Sequence, residues 1–145
     1  MDWMRELYSE VVLDYARNDK YKGRIEGALQ ERDRNESCGD EVNLFVKYEN
    51  GKVVDARYEG VGCIVSQASA AMLVKIIKGK TKEEIKEIMD NVKKMMKGEP
   101  FNEDVLGDLV VFSGISGIPQ RSKCFYLAWS VLERIYAKIE RGDRS

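Results

Sequence analysis

Val42-Asn43-Leu44-Phe45-Val46-Lys47-Tyr48 runs into Glu49-Asn50-Gly51-Lys52 and then into Val53-Val54-Asp55-Ala56-Arg57-Tyr58. In the first run Val42, Leu44, Val46 and Tyr48 alternate with Asn43, Phe45 and Lys47. A period of two marks a half-buried strand. Asn50-Gly51 then supplies two residues that tolerate positive φ, as a tight hairpin turn requires. Val53, Val54, Ala56 and Tyr58 continue as a second strand. The stretch therefore predicts one antiparallel hairpin.

Working outward, the polar stretch Arg17 to Glu36, broken by Gly23 and Gly27, leaves room for a third, short edge strand near Arg24 to Gln30. Upstream of it, Leu7, Tyr8, Val11, Val12 and Tyr15 recur at helical spacing and predict a helix from about Met4 to Ala16. Downstream of Gly60-Val61-Gly62 the chain reads helical to its end. Ile64, Ala68, Ala71, Met72 and Ile76 form one stripe of a helix closing at Gly79. Thr81 and Glu84 make a capping box for the next helix, whose buried face is Ile85, Ile88, Met89, Val92 and Met96. Gly98 and Pro100 end it. Phe101 to Gln120 is apolar but rich in glycine, so a short helix plus loop is expected, with Val110, Val111, Phe112 and Ile115 as candidate core. A last helix starts near Pro119, where proline suits a first turn, and runs to about Arg141. The expected fold class is α+β: a three-stranded antiparallel sheet packed by about five helices, in one domain spanning 1–145.

Composition narrows the chemistry. The chain has 145 residues, three cysteines, two prolines and no histidine. Apolar residues at 43% and charged residues at 34% describe a chain able to build a core without disulfides. A net charge of −1 offers the phosphate backbone no surplus of positive charge, so no nucleic-acid partner is expected. Without histidine there is no Ser-His-Asp triad, no Cys-His pair and no His-ligated zinc enzyme. An odd number of cysteines without disulfide density favours a reducing compartment. Met1-Asp2-Trp3-Met4-Arg5-Glu6 is charged, so no signal peptide is expected. The longest uncharged run, Gly60 to Val74, is about five residues short of a membrane helix. A cytoplasmic location with no membrane partner is the expectation.

The cysteines are Cys38, Cys63 and Cys124, and none forms a CxxC pair. Cys38 and Asp40 stand two apart on an expected extended segment and project to one side, with Gly39 allowing a bend. Cys63 opens a helix, where the dipole and free N–H groups favour a thiolate. Cys124 lies in the first turns of the last helix, three residues after Arg121, whose guanidinium would act in the same sense. A lone cysteine is commonly a buried small hydrophobe, and Cys63 and Cys124 fit that role on apolar helices. Cys38 does not, because Arg32-Asp33-Arg34-Asn35-Glu36-Ser37 is no core segment. Three thiolates and one carboxylate can make a tetrahedral site for Zn²⁺ or an iron–sulfur cluster without any imidazole. Against a divalent ion such a set leaves a charge of about −2, which Arg121 and helix N–H groups could offset. A carboxylate ligand makes the site less closed than a structural Cys₄ centre, so a merely structural zinc is the weakest reading.

Ser37-Cys38-Gly39-Asp40, Gly62-Cys63-Ile64-Val65-Ser66-Gln67-Ala68-Ser69 and Arg121-Ser122-Lys123-Cys124 leading to Leu127-Ala128-Trp129 resemble the U-type iron–sulfur cluster assembly family, IscU, SufU and the NifU N-terminal domain. The likeness runs over nearly the whole chain and implies the SufE/NifU-like fold. Three departures from the IscU pattern look like SufU. Lys123 stands where IscU-like members carry histidine, and Ile118-Pro119-Gln120-Arg121 replaces their Leu-Pro-Pro-Val-Lys chaperone motif. An insert falls near 101–118.

The resemblance implies a zinc-binding partner of a PLP-dependent cysteine desulfurase, SufS-like or IscS-like, rather than a stand-alone enzyme. Zinc would be held by Cys38, Asp40, Cys63 and Cys124. A desulfurase histidine would take over one zinc position, freeing Cys38 to accept persulfide sulfur, with Arg121 in support and Cys124 as the alternative acceptor. The scaffold alternative assembles a [2Fe–2S] cluster on Cys38, Cys63 and Cys124 and hands it to a downstream iron–sulfur carrier or apo-protein.

Overall fold

The computed structural model describes residues 9–142. Helix α1 covers Glu10–Arg17, strands β1 Leu29–Asn35, β2 Asp40–Glu49 and β3 Lys52–Val61 follow, and then come helices α2 Ile64–Ile77, α3 Lys82–Met96, α4 Glu103–Leu106 and α5 Pro119–Glu140. A 3₁₀ segment, Gly107–Ile115, separates the last two. The expected part of α1 before Ser9 lies outside the described residues. Ser9 caps α1 by accepting the Val12 N–H.

The sheet is antiparallel in the order β1-β2-β3, as expected. Val42, Leu44, Val46, Ala56 and Tyr58 all point into the core, and Asn50 at the turn has a positive φ of 55°. Two details differ from the pattern. Phe45, grouped with the outward-facing residues, is 4% exposed and lies apart from the main core, between its register partners Gln30 and Arg57. A register shift at Lys47/Tyr48 restores Val53 to the core side and leaves Val54 exposed.

The third strand exists, but it occupies Leu29–Asn35 rather than Arg24 to Gln30. Its sequence, Leu-Gln-Glu-Arg-Asp-Arg-Asn, carries almost no apolar signal because it is an edge strand, where charges protect the open side. Its register is set by pairing with β2, Asn35 facing Asp40. Charged partners then fasten it to α5. Arg134 binds Asp33 at 2.9 Å and the Arg32 carbonyl at 3.2 Å, while Lys138 binds Glu31 at 2.7 Å and the Gln30 carbonyl at 3.0 Å.

Helix α2 departs from the one-stripe expectation. Val65, Ser66, Ala68 to Val74 and Ile77 are buried, so it is enclosed almost all round. Such a helix sits at the centre of a domain, and the sheet and α5 pack against it. Helix α3 begins with the expected reciprocal capping box, Thr81 with Glu84. It buries Met95 in place of the expected Met96 as its last core methionine, and Met96 is only partly buried. In the 101–118 segment Leu106, Leu109, Phe112 and Ile115 are core residues, and Phe112 packs on Phe125 at a ring separation of 4.9 Å. Val110 and Val111 pack against the core while remaining partly exposed. No described helix is long and apolar enough to cross a membrane.

Candidate metal centre

The site forms where the β1–β2 turn, the start of α2 and the second turn of α5 meet. Residues 36–39 make the turn, so Cys38 sits at its tip and not on an extended segment. Cys38 and Asp40 still converge, for a different reason. Gly39, at φ 75°, reverses the chain before β2 begins at Asp40. Asn35 holds the turn: its carbonyl accepts the Gly39 N–H at 2.7 Å and the Cys38 N–H at 3.3 Å. Its side-chain oxygen accepts from the Ser37 N–H and hydroxyl at 3.2 and 2.8 Å.

Asp40 is the centre of the cluster and is only 2% exposed. Its Oδ1 accepts the Cys63 N–H at 3.0 Å, so the carboxylate lies at the N-terminal end of α2. Its Oδ2 lies 3.2 Å from the Cys38 sulfur and 3.8 Å from the Cys63 sulfur. The Cys38 and Cys124 sulfurs are 3.8 Å apart. Cys38, Asp40 and Cys124 have donor atoms all within 4.8 Å of one another, and Cys63 joins that triad through Asp40.

Gly62 makes the close approach possible. It has φ +152°, and a Cβ there would lie 2.8 Å from Asp40 Cγ and 2.5 Å from Ser66 Oγ. Ser66 is buried and donates to the Cys63 carbonyl at 3.0 Å. Deeper in, the Ser69 hydroxyl donates to the Phe125 carbonyl at 2.7 Å and accepts the Trp129 indole N–H at 3.1 Å. This buried tie sets the crossing of α2 and α5, and with it the separation of Cys63 from Cys124. Asn35, Gly62, Ser66 and Ser69 shape the site without touching sulfur. Their signal in the sequence was only that Gly62, Ser66 and Ser69 lie within the Cys63 motif.

The four donors suit a soft divalent cation. A tetrahedral zinc with sulfur at roughly 2.3 Å puts neighbouring sulfurs about 3.8 Å apart and a sulfur and an oxygen about 3.5 Å apart. The three observed contacts of 3.8, 3.2 and 3.8 Å bracket those edges, while Cys63, outside the group whose donors all lie within 4.8 Å, would have to draw in toward Cys38 and Cys124 to complete the tetrahedron. The charge argument agrees. A buried carboxylate ordinarily needs a cationic partner, yet among the described residues no lysine or arginine pairs with Asp40. Burial pushes the Cys124 thiol pKa up, helped by its hydrogen bond to Asp40 and by the neighbouring Cys63 and Asp40 charges. A positive ion would relieve that crowding of negative groups.

Arg121 makes no hydrogen bond or ion pair among the described residues, and the largest cause of the raised Cys124 thiol pKa is burial. Lys123 is exposed and lines an open hollow of about 340 Å³ with Asn35, Tyr126, Leu127 and Ser130.

Comparison with known proteins places this geometry. An iron–sulfur cluster assembly scaffold protein IscU from Thermotoga maritima is 43% identical over 136 residues, 93% of this chain and 96% of that one. The zinc-dependent sulfurtransferase SufU of Bacillus subtilis is 36% identical over 138 residues, 94% of each chain. A crystal structure from Fervidobacterium islandicum AW-1, assigned as an iron–sulfur cluster assembly scaffold for the SUF system, superposes with a TM-score of 0.83 at 44% identity. That superposition covers 89% of this chain and 96% of that one. Residues 7–125 match the NifU-like N-terminal domain, and the chain belongs to that family.

Proposed function

We propose that this chain serves iron–sulfur cluster assembly as a zinc-bound sulfur acceptor, taking persulfide sulfur on Cys38 from a PLP-dependent cysteine desulfurase. The observation that carries the reading is an asymmetry within the donor set: Cys38 is exposed at a turn, while Asp40 and Cys124 are buried beside it. Zinc would be held by Cys38, Asp40, Cys63 and Cys124, and when bound it keeps the thiols ionised at neutral pH.

The chain's own residues divide the work. Cys38 is the thiol that a partner can reach, on a turn that pivots at Gly39. Asp40 stays in place because its Oδ1 is held by the Cys63 N–H. Cys63 and Cys124 are fixed at the start of one helix and within another. Released thiolates are strong nucleophiles toward a persulfide, so freeing Cys38 alone suffices for sulfur transfer. Arg121, which makes no hydrogen bond or ion pair among the described residues, would support the incoming sulfur or its carrier. The relative named as a zinc-dependent sulfurtransferase supports this reading. The partner would be a SufS-like or IscS-like enzyme, and the sulfur would pass in the cytoplasm to a downstream iron–sulfur carrier or apo-protein.

A second reading has its own support, since the relative that is 43% identical is named a cluster assembly scaffold. On it, the same three cysteines carry a [2Fe–2S] cluster as cargo. Anaerobic purification followed by zinc, iron and sulfide analysis, then addition of a desulfurase with cysteine, separates the two. Zinc at about one per chain with faster cysteine turnover supports sulfur acceptance. Iron and sulfide at about two each per cluster-bearing protein support the scaffold. The acceptor assignment is sunk if Cys38→Ser still takes up sulfur while Cys124→Ser does not.

A further inference from the structure

Helix α5 and strand β1 meet along a seam of opposite charges. Glu31, Asp33 and Asn35 alternate along β1 and so share one side of the sheet. Glu31 pairs with Lys138 at 2.7 Å and Asp33 with Arg134 at 2.9 Å, and the two cations stand about one turn apart on α5. The third position, the one nearest Cys38, breaks the pattern. There the strand offers the uncharged Asn35, whose side-chain oxygen is already taken by Ser37. On the helix, Ser130, Leu127, Tyr126 and Lys123 precede Arg134, and with Asn35 they line the open hollow of about 340 Å³.

Lys123 is the one charged residue in that lining. Among the described residues its side chain makes no hydrogen bond or ion pair. Tyr126 donates its hydroxyl to Glu133, and Lys93 pairs with that carboxylate at 3.5 Å, so it is not left for Lys123. The hollow thus holds a cation and no anion. Asn35 also ties it to the exposed thiol, because its carbonyl accepts the Cys38 and Gly39 N–H groups. A group seated in the hollow borders the turn that presents Cys38.

We propose that this hollow seats an acidic side chain of the sulfur-donating enzyme, with Lys123 as the positioning residue that pairs with it. The proposal rests on the reading of Cys38 as the sulfur acceptor. One cation among neutral residues matches a single negative charge, which a carboxylate supplies. The incoming group completes the third pair that Asn35 leaves out of the β1–α5 seam. An aspartate at position 35 could pair with Lys123 within the chain and close the hollow to a partner. Buried Leu127 lends the hollow apolar surface, which limits water around the pair and strengthens it over one on open surface. Lys123 lies outside the metal-donor set, so it acts on docking of the donor and not on sulfur transfer itself.

The test measures cysteine turnover by a SufS-like desulfurase against rising concentrations of the zinc-loaded full chain. Lys123→Gln is expected to raise the KM for the chain about fivefold, and Lys123→Glu to raise it further, with kcat held within about twofold. Lys123→Arg is expected to restore the KM. Asn35→Asp is expected to raise it, by giving Lys123 an internal partner. The wild-type KM should climb with added salt, and that of Lys123→Gln should climb less steeply. Zinc affinity, read by competition against a chromophoric chelator, should match wild type in Lys123→Gln. Unchanged KM and salt dependence in Lys123→Gln and Lys123→Glu overturn the docking seat and leave the acceptor reading intact. A loss of kcat or zinc affinity without a change in KM overturns it too, since Lys123 then only supports the metal site. Stimulated turnover with no sulfur on Cys38, by peptide mass mapping of the wild-type chain, overturns both.

Discussion

Gly62→Ala is the sharpest probe of how the fold holds the site. The new methyl group has no room: Asp40 and the Ser66 hydroxyl occupy its position, and the backbone φ of +152° is one that L residues rarely adopt. The backbone alone costs about 1–3 kcal/mol. Relief of the contact requires Asp40 to move, which weakens the charged hydrogen bond from the Cys63 N–H, a bond of about 1.5–3 kcal/mol. Some of that is recovered by solvation at an exposed turn, so a net loss of about 2–4 kcal/mol is expected in metal-free protein. The metal site suffers separately, because Asp40 Oδ2 is the atom shared by the Cys38 and Cys63 contacts. Displacing a group that orients ligands commonly weakens metal binding by about 10–100-fold. Urea unfolding of the chelated protein reads the first quantity, and competition against a chromophoric zinc chelator reads the second. Gly60→Ala is the matched control, since its methyl group would press on the Glu41 backbone and not on Asp40. It should cost stability with a much smaller change in zinc affinity. Gly62→Ala with wild-type zinc affinity, or with stability within about 0.5 kcal/mol of wild type, refutes the argument.

Two further outcomes follow from the same structure. Ser69→Ala leaves the buried Trp129 indole N–H and the Phe125 carbonyl without their partner; unfolding by urea should show a loss of about 1–3 kcal/mol, and an unchanged midpoint would mean that the α2–α5 tie is energetically idle. Tyr58 and Tyr126 have their phenol pKa raised, chiefly by burial and for Tyr126 also by its hydrogen bond to Glu133. A raised folded-state pKa means that the unfolded chain loses protons first, so stability is full below about pH 10 and falls as the pH climbs above it. Denaturation midpoints measured across that range should decline, and Tyr58→Phe should flatten the decline.

Legibility in the sequence tracked how far each element obeys a repeating rule. The hairpin, the α3 capping box and the start of α5 at Pro119 follow local rules of period, capping and ring geometry, and they stand where expected. Strand β1 was displaced by several residues because Gln30 to Asn35 is polar at every position, and an edge strand takes its register from its neighbour. Phe45 was grouped with outward positions because period alone does not register what covers a sheet's second face. At the site, the four donor residues were legible as residue types at turns and helix starts. The reason for their convergence was partly misread, since Cys38 is brought to Asp40 by the Gly39 reversal and not by strand alternation. Helix-face spacing from Arg121 also says nothing of the burial that raises the Cys124 thiol pKa.

By itself the sequence determined the chemistry available: no imidazole, three thiols, one nearby carboxylate and a hairpin-then-helices order that admits one fold class. Only the tertiary structure decided which thiol meets the solvent and which are held. Cys38 and Cys124 stand 86 positions apart in the chain, and their 3.8 Å separation arises from three independent long-range ties. Arg134 and Lys138 fasten α5 to β1, Ser69 joins α2 to α5, and Asp40 anchors the turn to the start of α2. Each tie links residues far apart along the chain, so no local window contains it. The difference in burial between Cys38 and Cys124 is therefore a property of packing.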